Sequence, residues 1–378
     1  MITITLTTTM KVQIVVSPEQ AQLLKTTMDA YRQACNFVAK HVFKTHDLKQ
    51  ASLNTALYTE LRKSLRSQKS QTVLKTVIAR YKTILQNEHE WIQPEFRLPQ
   101  LDLVWNRDYS LSKGLFSVNT LEGRIKVPFY DTGMESYFAG DYKFGTAKLV
   151  EKHGKYYLHI PVSCEVEDVV PSDICNVVGV DRGINFLVTT YDSNGKTTFV
   201  NGRHVKQKRA QYAKTRKSLQ RRKTPAARRR LKQIGHRENR WMRDVNHCVS
   251  KALVDNNPQH TLFVLEDLTG IRSATERVRL RDRYVSVSWA FYDLEQKLKY
   301  KAQRAGSAVI NVNPAYTSQT CPKCGHTAKN NRNKKTHVFC CKNCGYTSND
   351  DRIAAMNLHR MGIDYLVPDA VTAEQAPL

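Results

Sequence analysis

Apolar and polar positions divide the chain into regions of different period. Residues 2–16 (ITITLTTTMKVQIVV) are β-branched and mostly alternate, which predicts a strand. Ser17-Pro18-Glu19-Gln20 then starts a helix, with Ser17 as N-cap, Pro18 at the first helical position and Gln20 closing a capping box. Leu24, Met28, Tyr31, Cys35, Val38 and Val42 follow at spacings of three and four, one face of a long helix. Residues 52–66 and 70–86 read as further helices, the second striped by Val73, Val77, Tyr81 and Ile84. Core packing accounts for these stripes. Strands return over 105–166, where Tyr156, Leu158, Ile160 and Val162 alternate behind a His153-Gly154 turn. Pro161 cannot donate to a ladder and predicts an edge strand. The expected result is a β-rich module enclosing a helical insert at about 20–95.

From Asn176 the pattern changes. VVGVDRGINFLVTTY reads as one or two buried strands, Asp192-Ser193-Asn194-Gly195 as a hairpin turn, and Lys196–Val200 as the next strand. A basic helical region runs from about 205 to 255. Thr224-Pro225 opens its second helix, Trp241, Val245, Cys248 and Ala252 give that helix an apolar face, and Asn257-Pro258 ends it. Thr261–Glu266 is a strand, 271–284 a charged loop, 288–304 a helix, and Ser307–Val312 a strand. A cysteine cluster and a helix over about 349–361 close the pattern, ahead of a loose tail from Pro368. The order β-β-β-α-β-α-β-(Cys module)-α is that of an RNase H-like fold, so the expected class is α+β and multidomain.

Composition narrows the partners. Of 378 residues, 59 are Lys or Arg and 34 Asp or Glu, a net charge of +25. At 41% hydrophobic and 25% charged, the chain is globular rather than disordered. No apolar run approaches the ~20 residues of a membrane span. Met1–Thr9 lacks the regions of a signal peptide, so a cytoplasmic location is expected. Such an excess of positive charge repels itself unless phosphates neutralise it, which points to nucleic acid. Between Arg203 and Arg243, 17 Lys and Arg stand against one acid, Glu238. The densest part holds Arg221, Arg222, Lys223, Arg228, Arg229 and Arg230, candidate phosphate contacts. They carry no sequence preference of their own.

The nine cysteines do not form a secreted disulfide framework. Cys35, Cys164, Cys175 and Cys248 stand alone and read as reduced core residues. Cys321-x-x-Cys324-Gly325 and Cys341-x-x-Cys344-Gly345 form two knuckles. Each brings two thiolates to one ion, and four thiolates complete a tetrahedral, structural Zn²⁺ site. Cys340 is left as a spare thiol; His326 and His337 are rival ligands.

Three acids stand out by position. Asp181 ends the first apolar strand, Glu266 ends Thr261–Glu266, and Asp351 opens the last helix, with Asp350 its competitor. In an RNase H-like sheet the first and fourth strands are neighbours and the last helix packs over their ends. The three carboxylates would then cluster, and two Mg²⁺ ions would relieve their repulsion. Two such ions can activate water and stabilise a leaving oxygen of a phosphodiester.

The blocks GVDRGI (179–184), VLEDL (264–268), YTSQTCPKCG (316–325) and FCCKNCGYTSNDDRIAAMNL (339–358) resemble, in order and spacing, the TnpB (OrfB) proteins of bacterial insertion sequences, relatives of type V CRISPR effectors. The likeness covers about 176–360. It implies a transposon-encoded RNA-guided DNA endonuclease that binds a guide RNA and target double-stranded DNA. It further implies a wedge domain at 1–20 and 100–170, β-barrel-like, with a helical recognition domain at 20–95. A RuvC nuclease domain would take 176–314 and 348–362, with a zinc ribbon inserted at 315–347 and a tail at 363–378. The resemblance makes Asp181, Glu266 and Asp351 the catalytic triad, choosing Asp351 over Asp350 by its spacing to Ala354-Ala355. Arg182 stands where the family commonly has an apolar residue. The alternatives are a miniature type V CRISPR effector and an RNase H-like DNA transposase.

Overall fold

The computed structural model describes residues 3–87, 89–112, 114–130, 133–140, 142–268, 291–333 and 335–367. The architecture is mixed α/β with three sheets, in two units: Thr5–Glu165, and Met1–Ile4 with Val166–Leu378.

In the first unit, β1 (Thr3–Ile14) leads into α1 (Pro18–Thr45), α2 (Gln50–Ser64) and α3 (Ser67–Gln86). The capping box forms: the Ser17 hydroxyl accepts from the Gln20 amide, and the Gln20 side chain accepts from the Ser17 amide. The chain then returns through β2 (Gln100–Leu103), β3 (Tyr109–Ser112), β4 (Leu115–Asn119), β5 (Arg124–Tyr130) and a short α4 (Glu135–Ala139). The strands β6 (Lys143–Phe144), β7 (Ala147–Lys152) and β8 (Lys155–Glu167) complete it. The eight-stranded sheet runs β2-β7-β8-β1-β5-β4-β3, with β6 also on β8. One core joins sheet and helices: Met10, Val12, Leu24, Tyr31, Val77, Leu101 and Leu158 are all buried in it. The expected edge position of Pro161 is wrong, because β8 lies inside the sheet. The proline is tolerated because β8 changes partner there. Residues 155–159 pair with β7, 162–163 pair with β6, and the Pro161 carbonyl accepts from Gly145 at 2.8 Å. Its missing N–H thus faces the break between two partners.

The second unit is built on a five-stranded sheet. Its strands are β9 (Asn176–Asp181), β10 (Phe186–Asp192), β11 (Thr197–Asn201), β12 (Thr261–Glu266) and β13 (Ala308–Val312), in the order β11-β10-β9-β12-β13. The first three are antiparallel; β12 runs parallel to both β9 and β13. The helices are α5 (Arg203–Arg222), α6 (Pro225–Asp255), α7 (Phe291–Arg304) and α8 (Asp350–Leu366). Between β13 and α8 lies a small sheet of β14 (Arg332–Asn333), β15 (Val338–Cys340) and β16 (Thr347–Asn349).

Both faces of the central strands are buried, which is why β9 and β12 read as unbroken apolar runs. Val178, Val180, Phe263 and Leu265 face a core with Met242 and Leu253 of α6 and Leu294 and Leu298 of α7. Val177, Leu262 and Val264 face Leu358 of α8.

The expected apolar face of α6 is borne out in part: Trp241 and Val245 are half-buried against the core, but the fully buried stripe lies one position on. Its buried stripe is Ile234, Glu238, Met242, Asn246, Val249 and Leu253, while Cys248 and Ala252 are exposed. Polar members of the stripe are buried because they have partners. Glu238 pairs with Arg209 at 3.6 Å and with Arg216, and Asn246 donates to Asp293 at 2.8 Å. The reading of all four lone cysteines as core also fails: Cys35 is buried, Cys164 half-buried, and Cys175 and Cys248 are exposed. The charged loop at 271–284, the start of the 288–304 helix and the tail from Pro368 lie outside the described residues. Among the described residues, no helix is long and apolar enough to cross a membrane.

Candidate active site and metal centre

Three element ends meet at the site. Asp181 closes β9 and Glu266 closes β12, and the parallel register Leu265↔Val180 sets the two acids side by side. Asn349 caps α8, its side-chain oxygen accepting from the amides of Asp351 (3.0 Å) and Arg352 (3.1 Å). Asp350 and Asp351 therefore occupy the first helical turn, where the helix dipole favours negative charge.

A glycine sets where that turn lies. A Cβ on Gly179 would overlap the carbonyl oxygen of Ala355 and stand 2.5 Å from the amide nitrogen of His359, so the backbone of α8 rests directly on β9. Asp181 is two residues beyond Gly179 and points to the same face of the strand. Asp351 is four residues before Ala355, one helical turn. The contact of Gly179 with Ala355 thus aims one acid at the other. Gly362 repeats the device further along α8, against Val264 and Val177.

The carboxylates act on one another. Burial, then the charges of Glu266 and Asp351, hold the Asp181 carboxyl well above its usual range. Burial also raises Glu266, opposed by a 2.5 Å hydrogen bond from the Thr317 hydroxyl and by the charges of Arg182 and Arg332. Asp351 is raised by burial and by the neighbouring Asp350. The two aspartates of the helix start differ in their partners. Asp350 is fully buried, with Arg332 Nε at 2.6 Å on one oxygen and His337 Nδ1 at 3.3 Å on the other. Its charge is met by direct partners, whereas Arg332 and His337 act on Asp351 through charge alone.

Among the described residues, the imidazole and carboxylate atoms that all close to within 4.8 Å of one another are those of His337, Asp350 and Asp351. Asp181 and Glu266 stand outside that set; Glu266 and Asp351 both act on Asp181 through charge. An arginine at hydrogen-bond distance makes the Asp350 side of the trio a poor cation site. The side toward Asp181 and Glu266 offers, among the described residues, carboxylate oxygens without an arginine bound to them, donors of the kind a hard cation takes.

Several residues of the site are not singled out by the sequence. His337 is read there as a rival zinc ligand, yet its Nδ1 faces Asp350 and its Nε2 meets the Asn185 amide at 2.7 Å. Arg332 and Thr317 come from the segment between β13 and α8; Asn357 of α8 holds that segment by donating to the carbonyls of Thr317 (2.6 Å) and Thr320 (2.8 Å). Arg182 points away from the acids, onto the opposite sheet face. There it pairs with Glu295 of α7 at 3.0 Å and donates to the Glu266 carbonyl at 2.5 Å, tying the ends of β9 and β12 together. This pairing is how a guanidinium is accommodated in a mostly buried position.

Cys321, Cys324, Cys341 and Cys344 gather with all four sulfurs within 4.8 Å of one another. Cys321–Cys344 and Cys324–Cys341 lie 3.6 and 3.5 Å apart, close to the ~3.8 Å edge of a tetrahedron with ~2.3 Å zinc–sulfur bonds. The backbone amide of His326 pulls the Cys324 thiol down to about 6, toward the thiolate a metal requires. Cys340 lies on β15, outside the cluster.

Arg221, Arg222, Lys223, Arg228, Arg229 and Arg230 are all exposed, at the end of α5 and the start of α6. Arg209 and Arg216 are not part of this surface, since both are turned onto Glu238.

The chain matches the family model described as "Probable transposase" (OrfB_IS605) over residues 159–270, which hold Asp181, the basic cluster and Glu266. The model described as "Cas12f1-like, TNB domain" matches residues 291–358, which hold the four cysteines and Asp351. TnpB-like protein MJ0751 of Methanocaldococcus jannaschii is 29% identical over 204 residues, 52% of this chain and 72% of that protein. The chain is TnpB-related. The putative RNA-guided DNA endonuclease InsQ of Escherichia coli is 30% identical over 243 residues, 60% of this chain and 58% of that protein. The CRISPR-associated endodeoxyribonuclease Cas12f1 of Sulfoacidibacillus thermotolerans is 28% identical over 256 residues, 64% and 58%. The chain spans 58% of the length of the InsQ and Cas12f1 relatives and 72% of MJ0751.

Proposed function

We propose that this chain is a transposon-encoded, RNA-guided DNA endonuclease with a RuvC-like site at Asp181, Glu266 and Asp351. The observation that carries the reading is the electrostatic one. Glu266 and Asp351, distant in sequence, press their charge on a buried Asp181 where β9, β12 and the start of α8 meet. The sheet order β11-β10-β9-β12-β13, with three antiparallel strands followed by two parallel ones, supports an RNase H-like domain over 176–314 and 348–362. The names of InsQ, a putative RNA-guided DNA endonuclease, and Cas12f1, an endodeoxyribonuclease, support the activity and a guide RNA and DNA as partners; we take the DNA target to be double-stranded. The wedge domain at 1–20 and 100–170, the recognition domain at 20–95 and the zinc ribbon at 315–347 belong to the same proposal.

The donor set fits divalent magnesium. Asp181, Glu266 and Asp351 would hold the ions, which when bound supply the charge that activates water and stabilises a leaving oxygen. Arg332, fixed by Asp350, stands at the edge of the carboxylate group, where a guanidinium can pair with a phosphate. Thr317 orients Glu266, and the exposed arginines of the α5–α6 turn neutralise phosphates along the strands.

The decisive experiment is purification from a host carrying the native locus, with sequencing of the bound RNA and assay of DNA cutting. A discrete RNA and a cut set by its sequence are expected. The "Probable transposase" description favours a second reading, strand joining by the same acids, which predicts joined products and no discrete RNA.

The ribbon carries a prediction of its own. Cys341→Ser is expected to bring the zinc content of the purified chain to background, measured by atomic emission. Cutting should fall with it, because Arg332 and His337 reach the site from the stretch the cysteines tie together, and Thr317 lies four residues ahead of the first of them. Full cutting by a zinc-free protein would refute this.

A further inference from the structure

We propose that Phe186 and Phe199 form a stacking platform for unpaired bases of the DNA strand being cut; the proposal rests on the nuclease reading and names the substrate state at that site. Directly opposite residues on neighbouring strands point to the same face. Asp181 pairs with Thr189, and Thr189 pairs with Phe199, so Asp181, Thr189 and Phe199 form one cross-strand row. One strand separates the acid from the aromatic, placing their Cα atoms about 10 Å apart.

Phe199 lies on β11, the edge strand, and is 41% exposed. Its ring meets that of Phe186 at 4.8 Å between centroids. The irregular register between Phe186 and Val188 is what brings Phe186 onto the same face. Among the described residues, neither ring belongs to a core cluster of the unit, whereas Val200, the next residue along, packs against the opposite core.

Cations flank the pair. Arg352, the residue after Asp351, reaches Thr197 at 3.0 Å on the same face of β11. Lys206 of α5 bonds the Asn185 side chain at 3.1 Å, beside Phe186, and Asn185 in turn meets His337 of the acid cluster. An exposed ring, Phe199, backed by the half-buried ring of Phe186 and flanked by cations suits a single strand, whose bases offer their faces to the rings and whose phosphates meet the charges. A duplex keeps its bases stacked inside and has no use for such a surface. The platform therefore assigns the strand at the metal site an unpaired state over the nucleotides next to the cut.

The test uses the whole chain as purified, carrying Asp181→Asn so that binding is read without cutting. The probe is a short single-stranded DNA with 2-aminopurine at successive positions, at high salt to suppress non-specific contacts. Stacking on the rings quenches the probe at a defined position. Phe199→Leu, which keeps an apolar residue in the strand, is expected to lose that quench and weaken binding about tenfold. Phe199→Trp should retain both, and a duplex of the same sequence should bind both variants equally. An unchanged quench in Phe199→Leu, or an equal loss on the duplex, overturns the platform. The nuclease reading is judged separately: a wild-type chain that shows the quench but, carrying its RNA and given a matched DNA target in Mg²⁺, never cuts refutes the nuclease and leaves the platform standing.

Discussion

Asp181→Asn is expected to reduce DNA cutting on the order of 10³-fold or more while RNA binding and the melting temperature are retained. Asn keeps the volume and one acceptor oxygen but removes the charge that two cations would share. Asp181 is the carboxylate on which the other two charges converge, so it should be the most sensitive of the three. Asp351→Asn should behave alike. Asp350→Asn should differ, because it frees the buried side of Arg332 and so lowers stability along with activity. The measurement is cutting of a matched target, alongside thermal melts of each variant. A clean Asp181→Asn protein that cuts at the wild-type rate would remove the assignment.

The same repulsion sets a pH dependence. Asp181, Glu266 and Asp351 all have folded-state values raised above the ordinary carboxylate range. The folded protein therefore keeps protons that the unfolded chain releases. In the metal-free protein this contribution to stability is fully present below the unfolded carboxylate values and is lost as pH rises through the folded ones. Bound Mg²⁺ replaces those protons. Adding Mg²⁺ should thus raise the melting temperature above that window and hardly at all below it. Cutting should fall as the pH is lowered into the window, because protons then compete with the cations.

Gly179→Val is the second substitution with a large expected effect. Its side chain would have to occupy the space of the Ala355 carbonyl, a backbone atom that cannot turn aside. Either α8 lifts or β9 bends, at a cost of about 1–3 kcal/mol or more. A displacement near 1 Å of Asp351 relative to Asp181 should lower cutting by about 10²-fold. The control is Gly235→Ala, in the middle of α6, where an added Cβ meets nothing within 4 Å. That change should stabilise the chain by up to about 1 kcal/mol. Equal behaviour of the two variants would show that the close crossing of α8 on β9 does not position the acids.

Elements with a clean period were legible. The Ser17 capping box, the His153-Gly154 turn with both residues at positive φ, and the Asp192–Gly195 turn stand where the pattern placed them. Errors fell where polar residues are buried by pairing. The α6 stripe was displaced by one position because Glu238 and Asn246 count as polar in a periodicity, yet Arg209, Arg216 and Asp293 make their burial possible. Pro161 was misplaced for a related reason: its tolerance depends on where β8 exchanges β7 for β6, which no local signal reports.

For the site, the sequence alone determined the inventory. Acids at strand ends and at a helix start, paired cysteine knuckles and a dense basic run are properties of neighbours in the chain, set by spacing and local propensity. Tertiary structure alone decided how the acids differ. Arg332 and His337 bind Asp350 directly and reach Asp351 only through charge, Gly179 lets α8 settle onto β9, and Arg182 ties two strand ends from behind. Each of these depends on groups far apart in sequence meeting at a few ångströms, where burial strengthens charge and a single Cβ decides the approach of a helix.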